Sequence, residues 1–152
     1  MTASDFKLYA YSVPFLCGEQ ADPCCACAPL RPGRYATEIN IHNWQGKPAP
    51  LLKRAIPLVL AGAVGGREPA VQAAKTLEAL LLPAHNATMD DCCRLTALLL
   101  GAPPAGPLPL TAGILEIIST VELNVTAVYT ASDGGGAPSI DVQQIVARTL
   151  TL

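Results

Sequence analysis

The sequence predicts an all-β protein, an antiparallel β-sandwich or jelly roll with one short α-helix. About six or seven segments rich in Ile, Val, Thr and aromatic residues are separated by turns that contain glycine and proline. Only one segment carries both a start and a stop signal for a helix, and strands and helices do not alternate. This pattern is typical of sandwiches and barrels, and 152 residues fit a single domain over 1–152.

The N-terminal part of the chain combines a strand, a cysteine-rich loop and a second strand. Phe6–Val13 alternates and predicts the first strand, which Pro14 is expected to end or to place at a sheet edge. The Cys-rich loop, residues 17–34, holds four of the six cysteines of the chain. Tyr35–Asn43 then alternates between apolar and polar side chains, which predicts a strand with one buried face and one wet face.

The middle of the chain is less uniform. Leu51–Leu60 is apolar and predicts a third strand, although Pro57 is unusual at a central position. Residues 70–82 fit two structures equally well, because their apolar spacing suits a helix and the run 76–82 suits a strand that ends at Pro83.

The one clear helix signal covers Thr88–Leu100. Thr88 is a suitable N-cap, Asp90 and Asp91 would lie in the positive first turn, and Gly101 marks the C-terminal end. We interpret the two acids as partners of the helix dipole rather than as a catalytic pair. Further strands are predicted beyond the helix, at 110–119, 122–131 and 139–146.

Composition points to self-association. Charged residues make up 14% of the chain and hydrophobic residues 51%, so polar groups are scarce for covering a monomer, and we expect a homo-oligomer. A net charge of −2 with scattered basic residues argues against a nucleic-acid partner. Prolines interrupt the longest uncharged stretch, so no membrane span is predicted. Without a signal-peptide pattern the expected location is the cytoplasm, with leaderless export as the alternative.

The cysteines are the best chemical signal. Cys24 and Cys27 form a CxxC pair, a spacing that lets two thiolates of a tight turn bind one metal ion, and Cys17 is a third candidate. Cys92 and Cys93 follow Thr88 and would lie near a helix N-terminus, which favours thiolates. We expect Cys17, Cys24 and Cys27 to converge with Cys92 or Cys93.

Three interpretations of this cluster stay open. Thiolates suit Zn²⁺ or Cu⁺, and His42 or His85 would be an additional ligand. The same cysteines suit a redox dithiol or disulfide cross-links. They also suit a loop in which cysteine packs as a small apolar residue. His42 shares the wet face of its strand, and His85 is expected in a loop.

Several stretches resemble a family of uncharacterised bacterial proteins: Tyr11–Gly18, Arg31–Asn43, Ala87–Arg94, 115–119 and 125–130. That family implies no activity. More distantly, Thr37-Glu38 on a strand, followed by Ser119-x3-Leu123-x-Val125-x3-Tyr129-Thr130, is similar to the sensory-rhodopsin-transducer type of β-sandwich protein. This resemblance implies a soluble, oligomeric binding module rather than an enzyme.

The sequence therefore predicts a non-enzymatic, oligomeric β-sandwich protein with a structural or binding role, whose Cys-rich loop is cross-linked or metal-bound. The alternative is a thiolate metal-binding (Zn or Cu) or redox protein that uses Cys17, Cys24 and Cys27. An enzyme is the weakest interpretation, because no motif assembles a nucleophile, a base and an acid.

Overall fold

A computed structural model describes residues 6–22, 27–133 and 135–151. This part of the chain forms ten strands and one helix. In chain order they are β1 (Lys7–Gln20), β2 (Gly33–His42), β3 (Ala49–Leu60), β4 (Ala63–Val64), β5 (Lys75–Leu82), β6 (Ala87–Asp91), α1 (Cys92–Leu100), β7 (Thr111–Ser119), β8 (Asn124–Ser132), β9 (Ser139–Ile145) and β10 (Arg148–Thr151). The prediction of a mostly antiparallel β protein with one short helix is confirmed.

The strands follow one antiparallel path in the order β4, β3, β7, β1, β2, β8, β9. At the sides of this path, β5 pairs with β3, β10 with β1, and β6 with β2. Strand β1 is shared, because residues 9–17 pair with β7 whereas 18–20 pair with β2. We call β4, β5, β3, β7, β1 and β10 the first half of the sheet, and β6, β2, β8 and β9 the second half. Within the described residues the path does not close on itself.

The main hydrophobic core draws side chains from both halves of the sheet. Alternate residues of β1, β2, β3, β7 and β8 point to the core, as the two-residue period of a strand requires. Burying a Val, Leu, Ile or Phe side chain stabilises the fold by about 1.5–3 kcal/mol. Fully buried members are Val13, Phe15, Ile39, Ile41, Leu115, Ile117 and Val125.

The first strand runs past Pro14, so the prediction that it ends near Val13 is wrong. Pro14 lies opposite Ile114 of β7, and its carbonyl accepts a hydrogen bond of 2.8 Å from the Tyr129 hydroxyl. The Pro14 carbonyl therefore points away from β7. Because the nitrogen and the carbonyl of one strand residue point to the same side, the Pro14 nitrogen points away from β7 as well. No ladder hydrogen bond to β7 is lost there, and proline is tolerated.

A second proline is accommodated by an irregular pairing. Pro57 lies opposite Gly113 of β7, and the register shifts between Pro57 and Val59. A Cβ atom on Gly113 would lie 2.2 Å from the Ile56 carbonyl oxygen, so only glycine allows the two backbones to approach this closely. The sheet therefore passes both prolines without a break.

The helix starts four residues later than the sequence predicts. Residues 87–91 pair with β2, with Thr88 opposite Ile41, so Thr88 is not the N-cap. Asp91 is the cap, and its side chain accepts a hydrogen bond of 2.9 Å from the Arg94 amide. Gly101 ends the helix at φ 81°, as expected.

The ambiguous residues 70–82 resolve in favour of a strand. Lys75–Leu82 forms β5 beside β3, so the helical interpretation of this segment is wrong. Its alternation places Leu80 and Leu82 towards the core, while Leu81 points to the opposite side. Three short strands, β4, β6 and β10, were not predicted.

Candidate functional site

Two of the candidate cysteines form a disulfide. Cys17, at the inner face of β1, is bonded to Cys92, the first residue of α1, with 5.5 Å between their Cα atoms. Cys17 is 1% exposed and Cys92 is half-buried. The bond closes a covalent loop across 75 positions of sequence and ties the start of the helix to the strand that both halves of the sheet share.

Backbone and side-chain contacts surround this disulfide. Thr37 of β2 is buried, and its hydroxyl donates to the Leu16 carbonyl and accepts from the Leu16 amide, both at 2.9 Å. The Thr37 amide donates to Cys92 Sγ at 3.1 Å. The hydroxyl takes the place of ladder hydrogen bonds where β1 passes from one half of the sheet to the other. The disulfide therefore lies where β1, β2 and α1 meet.

Cys92 is the end of the disulfide that faces solvent. It borders a depression of about 260 Å³ that Glu38, Asp91, Cys93 and Thr130 also line. Cys93 is an exposed free thiol next to it in the chain. A thiolate that reached Cys92 Sγ through this depression would form a mixed disulfide there and release Cys17 as the thiolate, which is the ordinary course of thiol–disulfide exchange.

The other candidate residues lie apart from this bond. Cys27 is a free, exposed thiol, and its carbonyl accepts a hydrogen bond of 2.7 Å from Arg67. His42 is exposed on the outer face of β2, and His85 is exposed at φ 60° between β5 and β6. Cys24 falls outside the described residues, as does Cys25. Within residues 6–22, 27–133 and 135–151, no group of three or more His, Cys, Asp or Glu side chains could hold a metal ion.

A buried ion cluster lies beneath the helix. Lys53 points to the core from β3, with 2% of its side chain exposed, and its Nζ lies 2.7 Å from Oδ2 of the buried Asp90. The approach is a close ion pair, although its angles are not those of a hydrogen bond. Lys53 Nζ also donates to Glu78 of β5 at 3.2 Å, and Arg94 of α1 pairs with the same carboxylate.

The cluster joins elements that are distant in the chain. Lys53 belongs to the first half of the sheet and Asp90 to the second half, so their pair crosses the core. Each buried charge has a partner, because an unpaired charge at this depth would cost several kcal/mol. The sequence predicted Asp90 in the first turn of the helix, and the cluster was not predicted. The sequence feature that indicates the cluster is the position of Lys53, which lies between the inward-pointing Leu51 and Ala55 of an alternating strand and must therefore point to the core.

The outer face of the first half, on the side away from the core, is mostly apolar. Side chains of directly paired residues share a face, so the register gives rows across β3, β7 and β1. The rows are Leu52–Ile118–Ala10, then Arg54–Glu116–Ser12, then Ile56–Ile114–Pro14. At the margins Leu81 of β5 is 61% exposed and Leu150 of β10 is 46% exposed.

One polar row crosses this apolar face. Arg54 and Glu116 form an ion pair of 2.7 Å, with side chains 39% and 26% exposed. A depression of about 290 Å³ lies beside them, bordered by Ser12, Ile118 and Arg148. We call the three rows with Leu81 and Leu150 the apolar outer face.

The second half of the sheet differs. The outer side of its central strand β2 carries Glu38, Asn40 and His42, as the alternation predicted. The neighbouring strands add exposed apolar side chains to this side, Met89 on β6 and Ile140 and Val142 on β9. The outer side of β2 is therefore more polar than the outer sides of β3 and β7.

Comparisons with known proteins found no matching family model, no matching curated protein and no matching solved structure. Among the described residues no helix is long and apolar enough to cross a membrane.

Proposed function

We propose that this protein is a self-associating β-sandwich or jelly roll with a structural or binding role and a fold cross-linked by the Cys17–Cys92 disulfide. The apolar outer face carries the proposal. Apart from Lys53 in the core and the Arg54–Glu116 pair on the outside, strands β3 and β7 are mostly apolar on both faces, a pattern typical of strands that are covered on both faces. In a homo-oligomer, a second copy of the chain would cover the outer faces of these strands.

The sandwich arrangement is supported by the shared core. Inward-pointing residues of β1 and β7 in the first half contact the same cluster as residues of β2 and β8 in the second half. The resemblance to sensory-rhodopsin-transducer-type proteins points the same way, since it implies an oligomeric binding module rather than an enzyme.

The test is the mass of the native protein. Light scattering on protein at micromolar concentration should give at least twice the 15.8 kDa of one chain. Ile118→Lys, on the apolar outer face, should reduce that mass. The matched control is Thr126→Lys, on the outer face of β8, which should leave it unchanged. A wild-type protein that is monomeric throughout this range would contradict the proposal.

A redox role is the second candidate, and one observation favours it. The half-buried Cys92 borders an open depression beside the exposed Cys93, so an external thiol has a route to the disulfide. Equilibration with glutathione buffers, followed by alkylation and mass analysis, would give its reduction potential. A potential near that of cytosolic glutathione would support a redox role, and a much lower one would support a permanent cross-link.

The same measurement bears on location. Stable disulfides are typical of oxidising compartments, so a permanent Cys17–Cys92 bond would favour an oxidising compartment over the cytoplasm. Trapping thiols in intact cells and measuring the oxidised fraction of these two cysteines would distinguish the locations.

A further inference from the structure

We infer that the apolar outer face binds the same face of a second copy of this chain, about a two-fold axis that runs parallel to the strands between β3 and β7. The inference rests on the proposed function, and it adds which surface self-associates and in what orientation. Three features of the face carry it: its symmetry, its charges and its size.

The symmetry follows from the register of β3 and β7. A two-fold axis in the plane of the interface, between these strands, exchanges β3 of one copy with β7 of the other. Each row then meets the same row of the partner in reverse order. Leu52 faces Ile118 of the partner subunit, and Ile56 faces Ile114 of the partner subunit. At these positions of β3 and β7, apolar side chains of similar volume meet, as an isologous interface requires.

The charges fit the same operation. The central row has one cation and one anion on opposite sides of the axis, Arg54 and Glu116. The rotation places each Arg54 opposite Glu116 of the partner subunit, so the four charges alternate in sign. Within one copy Glu116 Oε2 already lies 2.7 Å from Arg54 Nη2, and the second copy adds a charge of opposite sign opposite each of the two side chains. Like charges opposite one another would have opposed this arrangement.

The size of the face is adequate for a dimer. Five strands, β5, β3, β7, β1 and β10, span about 24 Å at the usual spacing between strands. Four rows, from Leu81 and Leu150 to Ile56, extend about 27 Å along the strands. The axis between β3 and β7 brings four of these strands, β5, β3, β7 and β1, opposite strands of the partner, so the overlapping area is about 500 Å² per copy, and the total of about 1,000 Å² is at the lower limit for a specific interface.

The experiment uses reciprocal charge reversal in the full chain. Arg54→Glu and Glu116→Arg each make the central row carry one sign of charge, so each variant alone should self-associate at least tenfold more weakly than the wild type. In an equimolar mixture, every introduced carboxylate faces a guanidinium of the other variant. The mixture should return to the wild-type mass as a one-to-one heterodimer, which native mass spectrometry distinguishes because the two variants differ in mass.

The controls separate this inference from the proposed function. Glu38→Arg makes the same charge change on the outer face of the second half and should leave association unchanged. Circular dichroism should show that each variant is folded. If charge reversal unfolds the chain, Leu52→Lys and Ile118→Asp provide the same reciprocal test in the adjacent row.

Each outcome decides between the two ideas. Loss of association in both single variants and its recovery on mixing support the inference. Single variants that associate as tightly as the wild type, or a mixture that does not recover, would overturn the two-fold arrangement while an oligomeric wild type keeps the proposed function. A monomeric wild type would overturn both.

Discussion

Removing the Cys17–Cys92 disulfide tests how the fold is held together. The double variant Cys17→Ala/Cys92→Ala removes the bond without leaving a single reactive thiol at either end. Alanine also avoids placing a hydroxyl in the core, where Cys17 is 1% exposed. The expected result is a folded protein with a lower free energy of unfolding.

The magnitude follows from the length of the closed loop. The bond spans 75 positions, and the chain-entropy model gives about 4.5 kcal/mol for a loop of this length. Domains of this size are stable by about 5–15 kcal/mol, so the loss is a large share of the total. At about 2–4 °C per kcal/mol, the melting temperature should fall by roughly 10–15 °C.

Urea unfolding of the wild type, the double variant and a matched control measures this loss. The control is Cys27→Ala/Cys93→Ala, which removes two exposed free thiols and should change stability by less than about 0.5 kcal/mol. Dithiothreitol should lower the wild type to the level of the double variant and leave the variant unchanged. If the double variant loses less than about 1 kcal/mol of unfolding free energy, or if the control loses more than the double variant, the disulfide is not a major source of stability and the reasoning is refuted.

Three further predictions concern the core. Lys53→Met leaves the buried Asp90 carboxylate without its close cation and should cost about 3–5 kcal/mol in urea unfolding. Adding Asp90→Asn should recover part of this loss. A double variant whose loss of stability equals the sum of the two single losses would contradict the pairing of Lys53 with Asp90. Gly113→Ala should cost about 1–3 kcal/mol because its Cβ would meet a β3 carbonyl oxygen at 2.2 Å. Its control, Gly106→Ala, has open space and should be nearly neutral. Burial raises the pKa of the Tyr11 hydroxyl above 10, so as the pH rises this hydroxyl loses its proton in the unfolded state before it does so in the folded state. Stability should therefore be complete below about pH 10 and fall above it. Tyr11→Phe should make the free energy of unfolding fall less steeply above that pH. An unchanged pH dependence would contradict the assignment of this effect to Tyr11.

Strands β1, β2, β3, β7 and β8 were predictable because one face of each is buried. Alternation identified β2 before any contact was known, since Thr37, Ile39 and Ile41 point inward and Glu38 does not. The start of the helix was not predictable on the same basis. Thr88 and Asp91 are both acceptable N-caps in local terms. Pairing of β6 with β2 decides between them, and that contact joins residues far apart in the chain.

The cysteine cluster was predictable in part. Local signals indicated that Cys17 and a cysteine of the helix would meet, because the loop after β1 lacks apolar residues to order it. They did not identify Cys92 as the partner, since six cysteines allow many pairings and spacing does not rank them. The choice depends on the helix orientation, which places Cys92 towards β1 and leaves Cys93 exposed.

The low charge content acquires a physical explanation if the apolar outer face is covered by a second copy. An antiparallel sheet that packs one face on a core normally has a wet outer face, which requires polar side chains at alternate positions. Here only the outer face of the second half has this pattern on its central strand, with Glu38 and His42. The three rows on the outer face of the first half hold one ion pair, Arg54–Glu116, between two rows that are apolar across β3, β7 and β1, and Arg148 of β10 lies at the end of one of them. That pair has little value for solubility in a monomer, but between two copies it would exclude registers that place like charges together. The same two side chains would then set the orientation of an interface whose affinity comes from the apolar rows.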